Sequence, residues 1–253
     1  MCRYILPLIP PHSIYCEPFF GGGAVFFAKS PATVEVINDT NCQLMTFYRQ
    51  VVENFAALQR KIRFTLHAES NYARAKKIYR NAPHESDIDV AWSVWVLANM
   101  SFASSMDASS WQWDNLGLNI GKIRQKRDSF TEFLRARLMN VQISCRDALV
   151  VIKQRDTQDT FFYIDLPYVG CNQGHYSGYT DTQFTSLLQM LASIKGKFIL
   201  SNYMNDTLRE YIGNHAWRSN IVDIPKTVGR SPKRKQEVLV YNYDVQRDLF
   251  NPQ

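Results

Sequence analysis

The chain has 253 residues, 45% hydrophobic and 21% charged, which suits a globular protein with one large domain or two modest ones. A net charge of +6 and a pI of about 9.0 favour an anionic partner, although a charge of that size spread over a whole surface decides little by itself. The five cysteines (Cys2, Cys16, Cys42, Cys145, Cys171) form no Cys-x-x-Cys pair, so reduced thiols in a cytosol are expected and a metal site is not, and no apolar run approaches the ~18 residues of a membrane span.

In chain order, Ser13 to Phe19 reads as a short strand, followed by Gly21, Gly22 and Gly23 and a helical run from Ala24 to Lys29. Thr33 to Ile37 is β-branched and alternating, which predicts a second strand ended by Asn38 and Asp39. Strand, glycine turn, helix and strand together open a βαβ unit. Leu44, Phe47, Tyr48, Val51, Val52, Phe55 and Leu58 recur at helical spacing behind Asn41, a candidate N-cap. Ser70 to Arg80 and Ser86 to Met100 also read as helices, and Ser86 with Asp89 resembles a capping box. No further strand pattern appears before Asn140 to Ser144, so a long stretch of helix and loop is inserted between sheet segments.

The α/β rhythm then resumes. A short helix is predicted over Asp147 to Lys153, strands over Phe161 to Asp165 and Lys197 to Ser201, and helices over Asp181 to Lys195 and Asn205 to Trp217. The last two strands, Asn220 to Ile224 and Glu237 to Tyr243, are joined by a loop without a helix and should pair antiparallel. The predicted fold is α/β, a mostly parallel sheet with a terminal antiparallel hairpin and a helical insert. Residues 1–58 and 139–253 form the two parts of one domain, and residues 59–138 form the insert.

Three places carry chemistry. Glycines after a strand let the backbone approach a ligand, and Phe26 stands where a G-x-G-x-x-G fingerprint puts its last glycine, which disfavours a dinucleotide but not a nucleoside. Asp39, ending the next strand, is placed either for ribose hydroxyls or as a helix N-cap. Asp147 opens a helix after a strand and reads either as an N-cap or as the rim of a binding crevice. Asp165 ends an apolar strand and precedes Leu166, Pro167 and Tyr168. It reads either as a strand-end turn or as an acceptor for an amino group, with the Leu166 carbonyl beside it and Tyr168 able to stack on a base.

These segments resemble the DNA adenine-N6 methyltransferases of the Dam type, the D12 class. That family carries Glu-Pro-Phe-x-Gly-x-Gly, an Asp after the second strand, another after the third, and Asp-Pro-Pro-Tyr. They match Glu17-Pro18-Phe19-Phe20-Gly21-Gly22-Gly23, Asp39, Asp147 and Asp165-Leu166-Pro167-Tyr168 in the same order, and Leu200 to Tyr203 and Lys235 to Asp244 also look familial. The resemblance covers nearly the whole chain. It implies a Rossmann-like fold that binds S-adenosylmethionine through Glu17, Pro18, Phe19, Gly21, Gly23, Asp39, Asp147 and Asp165. It also implies methyl transfer to the N6 of an extruded adenine at Asp165, Leu166, Pro167 and Tyr168, without a metal. DNA is the implied partner, with a cognate restriction endonuclease as a further one and a bacterial or phage-encoded cytoplasmic setting.

Two clusters of cations suit phosphate contact: Lys122, Arg124, Lys126 and Arg127 in the insert, and Lys226, Arg230, Lys233, Arg234 and Lys235 in the hairpin loop. Two departures from the family pattern stand out. The aromatic-x-Gly-Gly-Lys motif expected ahead of Ile5 is absent, which predicts weak cofactor binding, and Leu166 replaces a proline, which predicts a slower reaction. A catalytically weak or inactive DNA-binding remnant is therefore the alternative reading. Methylation of cytosine N4 or of RNA is a further one, and a nicotinamide oxidoreductase has the least support.

Overall fold

The computed structural model describes residues 1–101, 110–113, 115–166, 179–225 and 234–245. A short helix α1 (Cys2–Ile5) and a 3-10 turn (Leu6–Leu8) precede β1 (Ile14–Glu17), α2 (Ala24–Ala28) and β2 (Val34–Asn38). The helices α3 (Cys42–Glu53) and α4 (Phe55–Arg63) replace the single helix predicted across Leu44 to Leu58. The break is at Asn54, whose backbone (φ −133, ψ 39) is not helical and whose Nδ2 donates to Gln50 Oε1 over 2.7 Å.

Next come α5 (Glu69–Arg80), α6 (Asp87–Met100), α7 (Leu118–Asp128), α8 (Glu132–Leu138), β3 (Val141–Ser144) and α9 (Ala148–Arg155). β4 (Thr160–Asp165), α10 (Asp181–Ser193), β5 (Lys197–Asn202), α11 (Asp206–Asn214), β6 (Arg218–Pro225) and β7 (Arg234–Tyr241) complete the order. Asn41 caps α3 by accepting from Leu44 N–H, and Ser86 caps α6 by accepting from Asp89 N–H, as their positions predict.

The described residues group into two units, 1–40 with 146–166, 179–225 and 234–245, and 41–101 with 110–113 and 115–145. In the first unit the strands stand in the order β2-β1-β4-β5-β7-β6. β2, β1, β4 and β5 are parallel, and β7 pairs antiparallel with both β5 and β6. The predicted mostly parallel sheet with a terminal antiparallel hairpin is what forms.

Both faces of the parallel strands are covered, so these strands read as near-continuous apolar runs. On one face Cys16, Phe162, Ile164, Phe198, Leu200 and Val240 pack with residues of α9, α10 and α11, among them Ile152, Leu187 and Leu208. Tyr15, Glu17, Phe161 and Tyr163 alternate onto the other face, where the Tyr15 ring lies 6.4 Å from that of Phe26 in α2. Burying each such side chain contributes on the order of 1.5–3 kcal/mol.

The second unit is built around α6, which is buried nearly all round from Val90 to Leu97 and is flanked by α3, α4 and α5. Trp92 Nε1 donates to Thr65 Oγ1 over 2.8 Å, and Phe55 and Phe130 stack with ring centroids 5.3 Å apart. The expectation of reduced thiols fails here, because Cys42 and Cys145 are joined in a disulfide with Cα atoms 5.4 Å apart. The fold brings together residues separated by 103 positions, a proximity that no local cysteine spacing announces.

Candidate active site at the carboxyl edge of β1 and β4

From β1 the chain steps outward to β2 and later returns to β4 on the other side of β1. The carboxyl ends of β1 and β4 therefore form a topological switch point, the place where open α/β sheets bind ligands. β1 ends on Glu17 and β4 ends on Asp165, so a carboxyl residue stands at each side of the crevice.

Behind Glu17 the glycine loop is shaped by its neighbours. Gly23 N–H donates to Phe20 C=O over 2.8 Å, Phe20 N–H to Asn38 C=O over 2.9 Å, and Gly21 N–H to Asp39 Oδ2 over 2.9 Å. Gly21 (φ +47) and Gly23 (φ +61) are left-handed, a conformation costly for any other residue. A Cβ on Gly23 would overlap the Phe20 ring, whereas one on Gly21 or Gly22 would meet open space. That open flank beside a backbone turn fits a nucleoside cofactor. Phe26, which replaces the last glycine of the dinucleotide fingerprint, is fully buried and packs edge-on to Phe20.

Asp39 is buried at 3% exposure, and the N-cap of α3 is Asn41, so Asp39 does not cap that helix. Asp147 is the N-cap of α9: its Oδ1 accepts from Leu149 and Val150 N–H, over 2.9 and 3.2 Å, while the residue stays exposed. Asn38, legible in sequence only as a strand end, ties three segments together. Its Nδ2 donates to the carbonyls of Pro18 and Arg146, each over 3.0 Å, and its Oδ1 accepts from Arg146 N–H over 2.9 Å. Phe19 packs edge-on to Tyr179 with centroids 5.8 Å apart.

The two carboxyl residues at the crevice differ. Glu17 is 2% exposed and its Oε2 accepts from the Tyr15 hydroxyl over 2.7 Å. Burial pushes its carboxyl well above the usual range; the Tyr15 hydroxyl pulls it back and the Asp165 charge pushes it further. Asp165 is exposed, and its Oδ2 accepts from the Tyr163 hydroxyl over 3.2 Å. Burial, and after it the Asp165 charge, raises the Tyr163 phenol far above its ordinary range, so Tyr163 is a donor at any working pH. Tyr15 and Tyr163 escape sequence reasoning because their apolar rings fit the strand pattern; only the spacing of two before each carboxyl residue hints at the pairing.

Leu166 is 2% exposed and belongs to the core cluster with Ile164, Phe184 and Leu200. Its side chain anchors the segment leaving β4, a restraint that does not require proline. Pro167 and Tyr168 lie outside the described residues, as do Lys226, Arg230 and Lys233. Arg234 and Lys235 belong to β7. Lys122, Arg124 and Lys126 are exposed on α7, whereas Arg127 is half-buried and its Nη1 donates to Thr65 C=O over 3.2 Å. Among the described residues no group of three or more His, Cys, Asp or Glu side chains could hold a metal, and no helix is long and apolar enough to cross a membrane.

Residues 1–226 match the family described as the D12 class N6 adenine-specific DNA methyltransferases. A relative, the type II methyltransferase M1.LlaDCHI of Lactococcus lactis subsp. cremoris, is 24% identical over 264 residues, covering 95% of this chain and 89% of its own length. Two solved structures align at low TM-scores. A precorrin-6y C5,15-methyltransferase from Geobacter metallireducens GS-15 has a TM-score of 0.36, with 11% identity over 93% of this chain and 81% of its own. An rRNA methylase from Streptococcus thermophilus has a TM-score of 0.37, with 8% identity over 95% and 92%.

Proposed function

Because this chain belongs to the D12 class of N6 adenine-specific DNA methyltransferases, we propose that the crevice between the ends of β1 and β4 holds S-adenosylmethionine beside an adenine drawn out of the duplex. The observation that carries the reading is the exposed Asp165 at the switch point, next to a glycine loop pinned through Asp39. S-adenosylmethionine, when bound, supplies an electrophilic methyl group.

The rest is the work of the chain. Glu17, Pro18, Phe19, Gly21 and Gly23 form the wall of the cofactor site, Asp39 fixes the loop and faces the nucleoside, and Asp147 borders it from the start of α9. Asp165 and the Leu166 carbonyl accept the two N–H groups of the adenine amino nitrogen. That nitrogen is a poor nucleophile because its lone pair is delocalised into the ring. Holding both hydrogens aims the lone pair at the methyl group and stabilises the positive charge that develops. Drawing the base out of the stack costs a few kcal/mol, and Tyr168 stacking on it offsets part of that.

Target recognition falls to residues 59–138, which lie within the second unit. Lys122, Arg124 and Lys126 there, with Lys226, Arg230, Lys233, Arg234 and Lys235, supply the charge for DNA, whereas Arg127 is engaged with the Thr65 carbonyl, and a cognate restriction endonuclease shares the target sequence. The type II name of the relative favours that pairing.

The test is transfer of a labelled methyl group to duplex DNA, followed by digestion to nucleosides. Label on the N6 of adenine with the wild-type chain, lost in Asp165→Ala, is the expected result. Label on cytosine, or an undiminished rate in Asp165→Ala, overturns the reading.

A further inference from the structure

We propose that Tyr163 is a positioning residue for methyl transfer, its buried hydroxyl donating to Oδ2 of Asp165 and holding that carboxylate in line for the target amino group. The inference rests on the reading of Asp165 as the acceptor of that group. β4 alternates, so Phe161, Tyr163 and Asp165 share one face. Packing on that face needs only a ring, as Phe161 shows, and Tyr163 is equally buried at 2% exposure. A buried hydroxyl is unfavourable unless bonded. This one bonds Asp165 Oδ2 over 3.2 Å, although the Asp165 carboxylate is itself exposed. The rigid sheet thus reaches an exposed side chain and restrains its choice of rotamer.

The neighbouring strand repeats the device. On β1 the Tyr15 hydroxyl donates to Glu17 Oε2 over 2.7 Å. The register pairs Tyr15 with Phe161 and Cys16 with Phe162, so the next step brings Glu17 alongside Tyr163. Glu17 feels the Asp165 charge, and carboxyl groups coupled in this way can share a proton. Here each is held by the tyrosine of its own strand instead. In this proposal the Tyr163 hydroxyl fixes where Asp165 Oδ2 lies as an acceptor. Misplacing such a group by about 1 Å can cost on the order of a hundredfold in rate.

The experiment is single-turnover methylation of a saturating DNA duplex by Tyr163→Phe, with Asp165→Ala beside it. The methyl-transfer rate constant of Tyr163→Phe should fall about tenfold to a hundredfold. DNA and S-adenosylmethionine affinities should stay within about twofold, and the melting temperature within a few degrees, because a ring still fills the site. Tyr163→Met, which keeps the apolar volume without a hydroxyl, should read the same way and serves if the phenylalanine variant does not fold. A wild-type rate in a folded variant overturns the proposal, and so does a loss of rate in a folded variant that is matched by loss of DNA or cofactor binding. If Asp165→Ala abolishes transfer while Tyr163→Phe is normal, the inference alone fails. If Asp165→Ala is itself as fast as wild type, the reading of the site fails.

Discussion

Gly21 N–H donates to Oδ2 of Asp39 across 2.9 Å, so the glycine loop after β1 and the end of β2 are a single hydrogen-bonded piece. Asn38 extends that piece to Pro18 and to Arg146, the residue before the cap of α9. The loop after β1, the end of β2 and the start of α9 are therefore tied to one another by hydrogen bonds of the chain itself.

Gly23 and Gly22 should respond differently to alanine. At Gly23 the new Cβ overlaps the Phe20 ring in a left-handed backbone, so Gly23→Ala should lose about 2–4 kcal/mol of stability and weaken S-adenosylmethionine binding. At Gly22 a Cβ meets nothing within 4 Å and the backbone needs no positive φ, so Gly22→Ala should keep its stability within about 0.5 kcal/mol. Urea unfolding of the two variants, with calorimetric titration of the cofactor for Gly23→Ala, checks the contrast.

Glu17 makes stability depend on pH in a direction opposite to most carboxylates. Burial holds its folded-state value well above its ordinary 4.5. The folded chain therefore keeps a proton that the unfolded chain gives up above about pH 4.5. The stability from the neutral buried acid is fully present below that pH and is lost as pH rises toward the folded-state value, by about 1.4 kcal/mol for each unit of difference. Glu17→Gln, which stays neutral throughout, should gain on the wild type as pH rises above about 5. Urea unfolding across that range reads the difference, and parallel curves for the two proteins would contradict it.

Lys29 and Glu35 form a buried ion pair with side chains 4% and 5% exposed, and the Lys29 ammonium also lies 4.2 Å from the Tyr15 ring centroid. Removing one partner leaves a buried charge without its counter-charge. Glu35→Leu and Lys29→Met should each cost about 3–5 kcal/mol, and the double change Lys29→Met with Glu35→Leu should cost less than the sum. Chemical denaturation of the three variants tests this, and additive losses would speak against the pairing.

How much of this was legible in sequence depends on how local each signal is. The glycine turn between β1 and α2, the β-branched run of β2 and the helix-free link before β7 each act through neighbours in the chain, so the parallel sheet and its antiparallel end could be read directly. The break at Asn54 could not, because the apolar stripe continues across it at helical spacing while the backbone there leaves the helical region. Asn38, Tyr15 and Tyr163 were hidden for another reason: their partners belong to loop backbone or to strand ends, and their own positions satisfy the strand pattern whether or not they bond. For Asp147 the helix cap that the sequence offered is the one that forms.

The Cys42–Cys145 disulfide closes a span of 103 residues that holds almost all of the helical unit. In the chain-entropy picture, closing a loop of about 100 residues contributes up to roughly 4–5 kcal/mol. The oxidised protein should therefore melt several degrees above the reduced one, and Cys42→Ser should melt at one temperature with or without reductant. Thiol titration under denaturing conditions, before and after reduction, shows whether the bond is present. A wild-type melting temperature that ignores reductant would contradict its contribution.

The cations of α7 should divide by exposure. Lys122, Arg124 and Lys126 face solvent, whereas Arg127 is half-buried and spends Nη1 on the Thr65 carbonyl, in the segment that also receives Trp92. Changing the three exposed residues to alanine should weaken binding to any duplex sequence and make the dependence of log affinity on log salt shallower, by about 0.9 for each phosphate no longer neutralised. It should leave the melting temperature nearly unchanged. Arg127→Ala should do the reverse, lowering stability by about 1–2 kcal/mol as its packing and hydrogen bond disappear, while altering the salt dependence little. Fluorescence anisotropy with a labelled duplex over a series of salt concentrations, paired with thermal melts, separates the two. An unchanged salt slope in the triple variant would mean that α7 does not lie against the phosphate backbone.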